Sequence, residues 1–411
     1  MKTDLHHQRT RAAFMWSRIL RTPFWAIYTM LPFILFRDLN ASPFQIAVTV
    51  ALKPMVSIFS MYWSAAVRQR RDLLVSNIIW AGVLGLLPFF FFPFVDSPWF
   101  FIASFGFFML LHRGVIPAWM EILKLNIPNT SREKVFAWGS ALGYLGDGIL
   151  PFLFGALLDG YFQAWRWIFP LTALIGLIPI LFQARILVRF EVAEQPKRIP
   201  FKQSLVQPWV SAWMLIKERS DFRSFQVGFM LGGAGLMIMH AVLPAFFMGV
   251  LQLSYKELAI ALTLCKGIGF AATSQFWAKW MSKVDIYRFS SVVTLMAFLF
   301  PFCLLAAQMH LYWIYTAYIV YGVMQAGSEL SWNLSGPIFS GDEDSSLYSS
   351  VNVVTVGLRG CIAPGLGSYL VTLMSSASVL LIGGGFCLLA FIFMASYSKT
   401  QRQAKIYSGI V

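Results

Sequence analysis

Apolar stretches long enough to cross a bilayer recur along the chain at 14–36, 44–66, 73–94, 98–120, 134–158, 166–188, 223–248, 257–281, 289–308, 311–331, 348–372 and 376–397. They are separated by short runs of charge, proline, glycine, asparagine and serine. A hydrocarbon core about 30 Å thick takes roughly 20 apolar residues of helix, and each stretch meets that need. Lipid offers no partner to backbone N–H and C=O groups, so such stretches satisfy themselves as helices. The pattern predicts an all-α integral membrane protein of twelve transmembrane helices. Its longest polar interruption, Arg189 to Arg223, divides the spans six and six. Two six-helix bundles follow, at 1–188 and 223–411, with a cytoplasmic linker at 189–222 whose segment around Trp209, Trp213 and Lys217 is amphipathic.

Charge sets the orientation. With the N-terminus cytoplasmic, about 23 Lys and Arg fall in inward loops and tails, and about three (Arg37, Arg166, Lys256) face outward. The protein is therefore expected in the cell's inner membrane with both termini cytoplasmic. The basic segment up to Arg21 leads into the first span without a small-residue cleavage site, so that span reads as a retained helix. Trp63, Trp99, Trp119, Trp167, Trp277, Trp313 and Trp332 lie near span ends, where indole rings anchor helices at the headgroup level.

Composition agrees: 58% of the 411 residues are hydrophobic and 12% are charged. The formal net charge of +14 is scattered in short clusters, which argues for topology and against a nucleic-acid partner. Cys265, Cys303, Cys361 and Cys387 all sit inside apolar runs and read as small buried hydrophobes, without metal or disulfide spacing. No phosphate-binding loop and no cofactor or metal motif is expected.

Several marked positions repeat at one offset: Lys53 and Lys266, Gly114 and Gly327, Trp119 and Trp332, Pro151 and Pro364 are each 213 residues apart. Internal duplication of this kind predicts pseudo-symmetric halves that share a site near the bilayer midplane and expose it alternately to either side.

Ionisable groups inside spans are costly, so each is a candidate for function: Lys53, His112, Arg113, Asp147, His240, Lys266, Glu329 and Arg359. Lys53 lies about nine residues, roughly 13 Å, inside the second span, too deep for easy snorkelling. Arg18 and Arg21 lie nearer the inner end, where snorkelling is the simpler reading. Lys53 and Lys266 each precede a helix-disturbing residue, Pro54 and Gly267, and are the leading substrate candidates. Asp147 and Arg359 occupy nearly equivalent repeat positions, and pair either as a gate between states or as a permanent bridge. His240 reads as a substrate contact or as a hydrogen-bonded core group. Cations outnumber acids in this set, which favours anionic cargo.

At this point the layout resembles the major facilitator superfamily over essentially the whole chain. The stretch 63–73 (WSAAVRQRRDL) is similar to that family's signature between helices two and three, and 276–288 (FWAKWMSKVDIYR) to its echo between helices eight and nine. Leu111, Arg113 and Gly114 (LLHRGVIPAW) resemble the helix-four motif, whose arginine the family links to proton coupling. The stretch 139–159 resembles the glycine-proline motif of helix five, interrupted by Asp147.

These readings point to a secondary active transporter of a small molecule working by alternating access, without enzyme activity. The expected roles are substrate contact for Lys53, Lys266, Arg359 and His240, and proton coupling or gating for Arg113, Asp147 and Glu329. Expected partners are an anionic metabolite, protons as the coupling ion and membrane lipids, with the protein a monomer. Symport and antiport, uptake and export stay open. The competing readings are efflux of lipophilic compounds through a Met-rich and aromatic interior, and a membrane receptor or enzyme without transport.

Overall fold

The computed structural model describes residues 2–69, 71–127, 148–188, 201–340 and 345–407. Asp147, the glycines from 139 to 146 and the first part of the central linker, to residue 200, lie outside them.

Among the described residues there is no strand. The first helices are α1 (Lys2–Tyr28), α2 (Leu31–Arg37), α3 (Pro43–Gln69), α4 (Leu74–Leu86) and α5 (Pro98–Asn126). Next come α6 (Gly148–Gly160), α7 (Trp165–Leu177), α8 (Ile180–Gln183) and α9 (Phe201–Glu218). After α10 (Ser220–Pro244) come α11 (Tyr255–Ala259), α12 (Lys266–Met281), α13 (Ile286–Ala306), α14 (Tyr312–Ser340), α15 (Ser345–Leu373) and α16 (Ser376–Tyr407). Nine helical segments among the described residues are long and apolar enough to cross a membrane. Helices α3, α6 and α14 stand at the other three expected positions.

By contact the chain divides into two compact units. One comprises Met1–Ala41, Val56–Phe201 and Ser254–Ala259; the other comprises Ser42–Met55, Lys202–Leu253 and Ile260–Val411.

The first unit is built on phenylalanine. Pro88 and Pro93 interrupt α-helical bonding, and Leu87–Phe94 winds as a 3-10 helix. Three residues per turn put Phe89 and Phe92 on one face, where both are fully buried, and leave Phe91 and Phe94 exposed on the apolar exterior. Phe89 and Phe92 meet Phe24, Phe101, Phe105 and Phe169, with centroids 4.1–6.1 Å apart. Arg166 closes this end: its Nη1 donates to the Pro93 carbonyl at 2.8 Å and its Nη2 pairs with Asp96. One turn before Phe24 on α1, Arg21 keeps part of its guanidinium inside the protein. Its Nε and Nη2 are buried without hydrogen-bond partners among the described residues, and a Cβ on Gly82 would sit 2.6 Å from Nη2.

The second unit packs α10 against α15 and α16, and α12 and α13 against α14. A buried amide–hydroxyl network ties it together: Gln226 donates to Asn352, Asn352 donates to Ser335 at 2.8 Å, and Thr355 donates to Gln226 at 3.1 Å. Such links join helices in a medium where a lone polar group has no water to turn to.

Indoles and thiols divide by environment. Trp99, Trp167 and Trp313 are exposed, as anchors should be, whereas Trp119 and Trp277 are buried in helix packing. Of the cysteines, Cys265 and Cys387 are buried, Cys303 is half-buried and Cys361 is exposed, so burial of all four is corrected by the helix face on which Cys361 falls.

Candidate functional site

The charged residues of the second unit meet through close backbone approaches. The turn Ile260–Cys265 is π-helical and delivers Lys266 to the start of α12. A Cβ on Gly322 of α14 would overlap the Lys266 carbonyl oxygen, so α12 and α14 touch backbone to backbone at this level. Two turns further along α14 stands Glu329, half-buried. Lys53 precedes Pro54, whose ring lies against Gly360 of α15 and fills the space a Cβ there would need. That contact carries Lys53 into the second unit, although α3 from Val56 onward belongs to the first. The Glu329 carboxylate lies within electrostatic range of both Lys53 and Lys266 and hydrogen-bonds Gln325. Two lysines 213 residues apart in sequence thus both act electrostatically on one acid.

His240 joins the same region. Its Nε2 is 3.1 Å from the Tyr321 hydroxyl, and its ring lies within electrostatic range of Lys266. Arg359 is 9% exposed; its Nη1 donates to the Phe229 carbonyl at 2.8 Å, and its guanidinium sits 5.2 Å over the Phe229 ring. The Arg359 Nε has no hydrogen-bond partner among the described residues. Gly233 lets the guanidinium lie flat on α10, since a Cβ there would overlap it. Arg359 and His240 both line a cavity of about 180 Å³ inside this unit.

Arg113 stands apart in the first unit on α5, with its Nε unpartnered among the described residues and Tyr28 within electrostatic range. Its neighbour His112 stacks against Phe108 at 5.8 Å and meets Trp25 edge-on at 4.7 Å. Asp147 lies outside the described residues. The structure therefore brings Lys53, Lys266, Glu329, His240 and Arg359 into one unit and keeps Arg113 in the other.

Sequence reasoning missed Tyr321 and the serines Ser290, Ser328 and Ser331, which line the same region. The signal was present on α14: Tyr321, Gln325, Ser328 and Glu329 follow i, i+4, i+7, i+8 and form a polar stripe down an apolar helix. Among the described residues no group of three His, Cys, Asp or Glu side chains could hold a metal ion. The arrangement can instead hold a charged solute, since three cations, exposed Lys53, half-buried Lys266 and buried Arg359, outnumber Glu329.

Comparison with known proteins fits this architecture. The nucleoside transporter NupG superposes with a TM-score of 0.72 at 15% identity, covering 94% of this chain and 99% of that one. A point mutant of the same transporter gives 0.76 at 16% identity with the same coverage. A POT family transporter in complex with 5-aminolevulinic acid gives 0.72 at 13% identity, covering 94% and 95%. A bacterial homolog of the human lysosomal transporter Spinster, inward-facing and unoccupied, gives 0.60 at 14%, covering 97% and 95%. No curated protein sequence matches the chain. The model of the Major Facilitator Superfamily matches residues 19–358, and the chain belongs to that family of multi-pass membrane transporters.

Proposed function

We propose that this protein is a proton-coupled secondary active transporter that carries a small anionic metabolite by alternating access. One observation carries the reading: Lys53 and Lys266 stand within electrostatic range of one carboxylate, Glu329. Two ammonium groups within range of this carboxylate offset part of its charge while no cargo competes for them. An arriving anion competes with it for the lysines and frees it to take a proton, which links cargo to coupling ion. In this scheme Lys53, Lys266, Arg359 and His240 contact cargo, while Glu329, Arg113 and Asp147 couple or gate.

The same reading takes the chain as twelve spans in pseudo-symmetric halves, 1–188 and 223–411, joined by a cytoplasmic linker at 189–222. It acts as a monomer in the inner membrane with both termini cytoplasmic. The 5-aminolevulinic acid complex of a POT family transporter is in keeping with small charged cargo.

Proteoliposomes carrying a pH-sensitive dye test the proposal. Small carboxylates should stimulate proton flux, and Lys53→Ala and Lys266→Ala should each weaken the stimulation. Stimulation by amphipathic drugs alone, unchanged in both variants, favours the second reading, efflux of lipophilic compounds. The methionines Met237, Met324 and Met394 in the cavity wall speak for that alternative.

A further inference from the structure

The cavity inside the second unit has a chemistry of its own. Helix α10 contributes Phe229, Gly233, Met237 and His240, which follow i, i+4, i+8 and i+11 and form one face. Across from them stand Val293 and Ala297 of α13, Met324 and Ser331 of α14, and Met394 of α16. The lining is mostly apolar, with His240, Ser290, Thr294, Ser328, Ser331 and Arg359 as its polar members, and among the described residues no carboxylate belongs to it. Arg359 supplies its positive charge, buried but for 9% of its surface, with one guanidinium N–H committed to a backbone carbonyl and its Nε without a partner among the described residues.

An ionised guanidinium in an apolar interior is expensive unless an anion or a full set of acceptors meets it. The described protein groups provide one acceptor and an aromatic face. The walls around the remaining space suit a hydrocarbon or aryl body, not a hydrated ion. A cavity of about 180 Å³ has room for a small organic solute.

From this we infer that the Arg359 cavity binds a small monocarboxylate with a compact apolar body, its carboxylate on Arg359 and its body against Phe229, Met324 and Met394. The inference rests on the proposed transport of an anion and names the class of cargo. It also excludes two neighbouring classes: inorganic anions, which would leave the apolar walls unfilled, and dicarboxylates, whose second charge would have no partner in the lining.

The test uses the purified full-length protein in detergent and saturation-transfer NMR with benzoate, benzyl alcohol, benzylamine and inorganic phosphate as probes. Benzoate should bind, and the alcohol, amine and phosphate should bind at least about tenfold more weakly. Arg359→Gln should weaken benzoate by about 10- to 100-fold, as expected when a charge-assisted contact is lost. Arg359→Lys should recover part of that loss. Ser328→Leu narrows the cavity without touching the charge and should also lower benzoate affinity, which keeps the test open if Arg359→Gln fails to fold. Equal binding of benzoate and benzyl alcohol, or undiminished benzoate binding in Arg359→Gln, would overturn the inference. Proton flux in proteoliposomes from the same preparation separates the two claims. Anion-stimulated flux without benzoate binding sinks the pocket alone, and benzoate binding without flux from any solute sinks the transport reading alone.

Discussion

Asp159 accepts the backbone amide of Tyr255 at 3.0 Å and, through its other carboxylate oxygen, that of Lys256 at 2.8 Å. The last turn of α6 thereby caps the first turn of α11, in a segment that belongs by contact to the first unit although the chain on both sides of it belongs to the second. Gly155 makes the approach possible, since a Cβ there would sit 2.7 Å from the Tyr255 carbonyl oxygen. Arg37 completes the arrangement, 3.5 Å from the Asp159 carboxylate and 4.9 Å over the Tyr255 ring. Asp159→Ala should lower stability by about 1 kcal/mol, the usual worth of a helix N-cap. Asp159→Asn should cost less, because its amide oxygen still accepts one N–H. Thermal unfolding of the purified variants in detergent is the readout, and an unchanged midpoint for Asp159→Ala would refute the cap.

Beside that cap lies Asp38, whose carboxyl is pushed above its ordinary value chiefly by burial. Tyr255, Arg37 and Trp165 pull it down, and Asp159 adds to the rise. An acid with a raised pKa in the folded state binds its proton more tightly there than in the unfolded chain. Stability therefore falls as pH climbs from the ordinary carboxylate value of 3.8 through the raised one, and levels off above it. Asp38→Asn should remove this slope and be at least as stable as wild type at neutral pH. Unfolding midpoints across pH 4–7 check the sign.

If Lys53 and Lys266 both act on Glu329, their effects should not add. Each single alanine variant should weaken anion-stimulated proton flux, and the double variant should fall short of the combined loss by about 0.5–3 kcal/mol in coupling. In a Glu329→Gln background that coupling should vanish. Additive losses would mean that the two lysines serve separate ends.

Gly322 offers a test of the helix contact beneath the cluster. With the Lys266 carbonyl oxygen in the space a Cβ would take, Gly322→Ala must part α12 and α14. Overpacking of this kind costs about 1–3 kcal/mol. Gly385, which has nothing within 4 Å of a notional Cβ, should accept alanine without loss. Equal midpoints for the two variants would argue against the close approach.

How legible all this was in the residues depended on how local the cause is. The length of an apolar run, the cost of an unpaired peptide in lipid and the bias of Lys and Arg act within single segments, so helical class and the position of most spans could be read directly. The α14 stripe of Tyr321, Gln325, Ser328 and Glu329 is equally local, yet only its one charged member stands out in an apolar run, because hydroxyls and amides cost far less there than a charge. Arg21 depends on packing of another kind: distance from the inner end suggested an escape to water, and Gly82 and Gly176 open a slot that takes part of its side chain.

The sequence by itself determined an all-α membrane chain, the residues that carry charge into it and a 213-residue echo that marked Lys53 and Lys266 as counterparts. Tertiary structure decided that those two share Glu329, that Arg359 faces an apolar cavity and that Arg113 belongs to other company. Helix formation depends on neighbours within a few residues, whereas convergence depends on which bare backbones can touch: Gly322 on Lys266 and Gly360 on Pro54. Those contacts join residues tens to hundreds of positions apart, and their energies exist only once the helices have packed.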